Sequence, residues 1–124
     1  MKQREENIRA VENVLVGIQE GNHDLVLSAL DEDARWIGGN GKRSKQAQGK
    51  EAIAKLLKKQ AKKMGGEVHV LQTTMHADGD TVFAEYVRSP KAKPEAKGAE
   101  RALTVFELAF GKIREVREFT LRVE

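Results

Sequence analysis

Glu118 in VREF, Arg88 and Tyr86 in EYVRS, and His69 in EVHV are the side chains of this 124-residue chain best suited to moving a proton. A carboxylate acts according to its surroundings: an apolar setting favours the acid role and a nearby guanidinium the base role. Glu118 is therefore the central candidate, with Arg88, His69 and Tyr86 assisting. Other chemistries find little support. The chain has no cysteine, which removes disulfides, thiolate metal sites and a thiol nucleophile. Its three histidines, His23, His69 and His76, are dispersed and lack paired-carboxylate spacing, so no metal site is expected. GGNGK at 38–42 lacks the glycine spacing and the following Ser or Thr of a phosphate-binding loop. The expected chemistry is acid–base work without a cofactor.

The elements that must carry these residues are legible from two periods. Ile8, Val11, Leu15 and Ile18 recur at helical spacing, predicting a helix over about 3–20 that ends at Gly21. Asn22 is a candidate cap for a second helix at 23–30. Ala34–Ile37 reads as a short strand, with Trp36 leading into GGNGKRSKQAQG (38–49), a polar, glycine-rich loop. A third helix at about 50–64 places Ile53, Leu56, Leu57, Ala61 and Met64 on one stripe before Gly65-Gly66. From Glu67 the period becomes two, with strands expected at about 67–77, 81–89, 99–109 and 112–123. The order α-α-β-α-β-β-β-β describes one α+β domain over 1–124, helices packed on one face of an antiparallel meander.

Asp78-Gly79 is a two-residue hairpin signal. With that loop, Met75 faces Val82, Thr73 faces Ala84, Leu71 faces Tyr86 and His69 faces Arg88. A cationic pair directly across a sheet is unfavourable, so an acid is expected to join His69 and Arg88, and Glu118 is the candidate. The last strand is ambiguous. Ile113, Phe119, Leu121 and Val123 form the more apolar set, while Val116, Glu118 and Thr120 form the other.

Four strings in this order resemble the nuclear transport factor 2-like superfamily, in its SnoaL-like, ketosteroid-isomerase-like and limonene-epoxide-hydrolase-like branch: EGNHDLVLSALDEDARWIGG, GKEAI, ADGDTVFAEYV and VFELAFGKIREVREF. The resemblance implies a cone-shaped, curved antiparallel sheet wrapped around N-terminal helices, with an apolar pocket open at one end. It also implies a homodimer through the outer sheet face. It sends Glu118 inward and gives Phe119 and Leu121 to the outside. The expected ligand is an apolar small molecule of steroid, polyketide or terpenoid type, walled by Trp36, Leu71, Thr73, Thr104, Phe106 and Val116. The ketosteroid isomerase groups are absent, because the base falls at Gly38, the tyrosine at Val14 and the aspartate near Thr104. Of the epoxide hydrolase's Asp-Arg-Asp relay, Glu118 occupies one acid position. The other two fall at Tyr86 and Arg88, and the relay's tyrosine falls at Trp36. One carboxylate is kept, the arginine is displaced by two residues, and the second acid is missing. Fold alone does not choose an activity, so a carrier or sensor without turnover stands as the alternative.

Charge adds a third possibility. Nine of the 22 basic residues lie between Lys42 and Lys63, against Glu51 alone, although the net charge is only +3. Such a segment suits anion or nucleic-acid binding. The same lysines also suit the solvated face of a helix, and no aromatic residue interleaves with them to stack on bases, so nucleic acid is not the expected partner. No apolar run approaches a membrane span. The N-terminal MKQREENIRAVENV lacks the apolar stretch of a signal peptide, which makes the cytoplasm the expected location.

Overall fold

The computed structural model describes residues 2–38 and 45–122. In chain order the elements are α1 (Lys2–Glu20), α2 (His23–Ser28), β1 (Leu30–Gly38), β2 (Lys45–Gln48), α3 (Lys50–Lys63), β3 (His69–Asp78), β4 (Thr81–Ser89), β5 (Glu100–Ala109) and β6 (Lys112–Arg122). The strands form one curved, open sheet in the order β2-β1-β6-β5-β4-β3. The meander β3 to β6 is antiparallel, as expected, while β1 joins β6 in parallel. Apolar stripes decide which face is covered. Val11, Val14, Leu15 and Ile18 of α1 and Ile53 and Leu57 of α3 are buried with Trp36, Tyr86, Phe106, Ile113 and Val116 of the sheet.

The first half departs from expectation in two places. The second helix stops at Ser28, and Leu30 is already strand, buried and paired with Ile113 of β6. Its N-cap is as predicted, Asn22 Oδ1 accepting from Leu25 N at 3.2 Å. The expected loop over 38–49 contains a strand, β2, whose Ala47 is buried opposite Trp36. Pairing with the longer β1 recruits this polar tetrapeptide into the sheet, and its own pattern is too short to announce it. Residues 39–44 and Val123 lie outside the described residues. That part of the basic segment, Lys42 and Arg43, is likewise outside, whereas Lys55, Lys58, Lys59, Lys62 and Lys63 all sit exposed on α3. Among the described residues no helix is long and apolar enough to cross a membrane.

Register in the β3–β4 hairpin corrects the expected pairing. The loop residues are Gly79 and Asp80, with Asp78 opposite Thr81, so Ala77 faces Val82 and Met75 faces Ala84. Gly79 has φ +60° at the first loop position, the placement a type II′ turn favours. Further along, an extra residue bulges out of β3 where Gln72 adopts φ +56°. Beyond a bulge the faces exchange. Leu71 therefore faces Val87, Val70 faces Arg88 and His69 faces Ser89.

A second bulge settles the last strand. The β5–β6 loop is Phe110-Gly111, and the pairing shifts between Glu107↔Glu115 and Leu108↔Ile113, which leaves Arg114 as the extra residue. Ile113, Val116 and Glu118 are thereby all buried although their numbering parity differs. Phe119 and Leu121 point outward at 55% and 72% exposure, on the face that also carries the exposed Phe83 and Leu103.

Candidate active site

Side chains from three elements converge on Glu118, which stands on β6 opposite Thr104 of β5. Its side chain is only 1% exposed. Oε1 accepts from Trp36 Nε1 of β1 at 2.7 Å and from Gln60 Nε2 of α3 at 3.2 Å. Oε2 accepts from Arg88 Nη1 of β4 at 2.9 Å. A carboxylate offers about four acceptor positions, two on each oxygen. Oε1 thus has both filled, and Oε2 keeps one for a proton. The strand β1 passes close by at Gly38, where a Cβ would stand 3.0 Å from Oε1. A bare backbone there lets the carboxylate lie against the strand.

Arg88 runs from this interior pair toward the rim. Nη1 also donates to Gln60 Oε1 at 3.3 Å, and Nη2 donates to Glu100 Oε2 of β5 at 2.7 Å. Glu100 faces Arg88 across the β4–β5 pair and is a quarter exposed. Arg88 Nε is buried and has no hydrogen-bond partner among the described residues. Burial alone would pull the guanidinium's pKa down, but the Glu118 charge, the Tyr86 side chain and the Glu100 bond outweigh it and raise the pKa. Arg88 is a permanent cation.

Tyr86 and Thr104 make the third part. Their hydroxyls lie 3.1 Å apart, both residues are buried, and either atom can be the donor. Two hydroxyls sharing one hydrogen bond leave one O–H free to donate. Burial, and then the negative charge of Glu118, pushes the Tyr86 phenol up to about 12. It is therefore a donor at neutral pH and not a base. Because the folded chain holds this proton more tightly than the unfolded chain does, stability is retained below pH 10 and lost as pH rises from about 10 through about 12. The loss amounts to about 2–3 kcal/mol. Tyr86→Phe should flatten this alkaline decline in urea melts between pH 9 and 12; superimposable curves would refute it.

Glu118, Arg88, Tyr86, Trp36, Thr104, Phe106 and Val116 thus share one interior face, the last three as buried wall. His69 does not join them. Past the Gln72 bulge it lies toward Glu67, Nε2 to Oε2 3.5 Å, with its side chain about a third exposed. Thr73 is exposed at the bulge, and Leu71 faces Val87 on the other side of the sheet. Two site residues were not foreseen. Gln60 falls on the apolar stripe of α3 three residues after Leu57, and a polar residue on such a stripe is the signal for it. Glu100 places a second carboxylate on Arg88, reaching it from the neighbouring strand β5. Among the described residues no group of three or more His, Asp or Glu is arranged to hold a metal ion.

A polar depression of about 490 Å³ lies on the opposite sheet face, lined by residues that include Arg35, Glu107 and Glu115. Several of its charges are paired: Arg35 with Glu115 at 2.8 Å, while Arg117 bridges Glu115 and Glu107. It has none of the buried donors and acceptors that surround Glu118.

The sequence model of the SnoaL-like domain family matches residues 11–116. The chain belongs to this family. As a SnoaL-like domain it shares its fold with solved structures of the nuclear transport factor 2-like superfamily. Bal32a, from a soil-derived mobile gene cassette, superposes with a TM-score of 0.80 at 20% identity over 95% of this chain and 91% of that one. An NTF2-like protein from Burkholderia xenovorans LB400 gives a TM-score of 0.73 at 20% identity, covering 95% and 91%. An LEH-like epoxide hydrolase from M. tuberculosis gives 0.68 at 27% identity, covering 95% and 84%. No curated protein matches this SnoaL-like domain in sequence.

Proposed function

We propose that this SnoaL-like domain binds an apolar small molecule inside the cone and performs acid–base chemistry on it through Glu118. One observation carries the reading: a buried carboxylate with one oxygen saturated by donors and the other holding a single donor. Anchored in this way, Glu118 Oε2 is the group that takes a proton, from a water molecule or from a carbon beside a carbonyl. The free O–H of the Tyr86–Thr104 pair and the Arg88 Nε–H are the donors for the ligand's oxygen as negative charge develops there. These roles use side chains alone and suit isomerase, cyclase or epoxide-hydrolase chemistry. The carboxylate–guanidinium–carboxylate chain through Glu118, Arg88 and Glu100 favours hydrolysis of an epoxide among these, by likeness to the Asp-Arg-Asp relay.

Binding without turnover is the second reading. It is favoured by the number of donors on Glu118, since three hydrogen bonds from β1, α3 and β4 also suit a carboxylate that ties these elements to β6. A thermal-shift panel of steroids, terpenes and terpene epoxides identifies ligands, because a compound that prefers the native state raises its Tm. Each stabilising compound is then incubated and analysed by mass spectrometry. Product formation supports catalysis, and full recovery of every compound leaves only the binder. The exposed outer face of Phe83, Leu103, Phe119 and Leu121 suits a second copy of the chain. A light-scattering mass of one chain at micromolar concentration would remove that assembly.

A further inference from the structure

Most of Arg88 is already occupied by the protein's own acceptors. Nη1 serves Glu118 and Gln60, and Nη2 serves Glu100 at 2.7 Å, leaving Nε as the buried nitrogen without a partner among the described residues. A carboxylate or phosphate ligand grips a guanidinium through two parallel N–H···O bonds, and every such fork needs at least one Nη. Here three of the five N–H groups are taken, both of Nη1 and one of Nη2, and Glu100 already stands at Nη2, where the second oxygen of a fork through Nε would have to compete with it. The fully unpartnered donor left to a ligand oxygen is Nε–H, with the Tyr86–Thr104 hydroxyl pair as a further, uncharged donor.

Charge points the same way. Among the described residues the site holds two carboxylates on one guanidinium, in surroundings where Glu118 is 1% and Arg88 8% exposed in the side chain. A third carboxylate entering there meets net repulsion that water does little to screen. Glu100 is the member of the chain with the least structural reason to be acidic. It is partly exposed, sits at the end of its strand and has Arg88 as its hydrogen-bond partner.

We propose that Glu100 is a specificity-determining residue. By capping Arg88 Nη2 and adding a second negative charge, it makes the site select an uncharged ligand bearing a single acceptor oxygen, such as a ketone, ether or epoxide, and turn away carboxylates. This rests on the interior being the ligand site proposed above.

The test uses two probes of matched ring system, 2-acetylnaphthalene and 2-naphthoate, with the full chain, Glu100→Gln and Glu100→Ala. Binding is read from the indole N–H signal of Trp36, the only tryptophan, in a ¹H–¹⁵N spectrum, since that N–H sits on Glu118. The same signal reports that each variant is folded; should Glu100→Ala fail to fold, Glu100→Gln carries the comparison. The wild type should prefer the ketone by on the order of tenfold or more. Glu100→Gln, which removes charge but keeps an acceptor, should narrow the preference, and Glu100→Ala, which also frees Nη2, should narrow it further or reverse it. Naphthoate binding the wild type as tightly as the ketone, or an unchanged ratio in folded variants, overturns the role of Glu100 alone. If neither probe moves the indole signal in any of the proteins, the interior ligand site falls and this inference with it.

Discussion

Arg88→Met is expected to lower the unfolding free energy by about 3–5 kcal/mol, a fall of roughly 10–20 °C in Tm for a chain of this size. Methionine keeps much of the buried hydrocarbon, so the cost is electrostatic. Removing the guanidinium strands Glu118, whose side chain is 1% exposed, with the Trp36 and Gln60 hydrogen bonds and no opposing charge. It also frees Glu100 from its 2.7 Å contact, although that carboxylate can turn to solvent. The double variant Arg88→Met, Glu118→Leu should recover much of the loss, because a buried ion pair costs about as much to desolvate as it returns. Chemical denaturation of the four proteins of this cycle measures the coupling. Near-native stability of Arg88→Met alone would mean that water reaches Glu118, and the buried site would not stand.

The difficulty in reading this site from sequence lay in bulges. Period-two alternation located β4 and placed β5 and β6 to within a residue, and the four strings that resemble the superfamily put Glu118 inside. Alternation alone favoured Phe119, since nothing in KIREVREF marks Arg114 as the residue that the pairing skips. The same failure misplaced His69. A glutamine at φ +56° is not a turn signal in the way an asparagine or glycine is, so the face exchange at Gln72 was invisible and His69 was carried onto Arg88. What replaced it came from far away in the chain. Glu100 meets Arg88 only through the β4–β5 register, set across a loop of about ten residues, and Gln60 only through the packing of α3 against the sheet. Short-range patterns carry no information on either contact.

Glu118→Gln should reduce turnover of a processed ligand by about 10²–10⁴-fold while its Kd changes little. The substitution keeps shape but removes the proton-accepting oxygen and the charge that faces Arg88. It also has a structural cost, because one amide N–H must point at the donors of Arg88 or at those of Trp36 and Gln60, so loss of activity by itself is not decisive. Glu118→Asp supplies the contrast. The charge and the Arg88 attraction remain, yet the carboxylate withdraws by about one bond length from its present position. If Glu118 acts on the ligand, the aspartate variant should melt near the wild type and still lose on the order of 10²-fold in kcat, since a displacement of about 1 Å is enough to spoil a reacting geometry. If Glu118 only holds the mouth of the cone together, the order inverts: the aspartate variant keeps its turnover, and activity in the glutamine variant tracks its folded fraction. Measuring kcat, Kd and Tm on the same three proteins separates the two outcomes, and wild-type turnover in a folded Glu118→Gln chain would remove the carboxylate from the chemistry altogether.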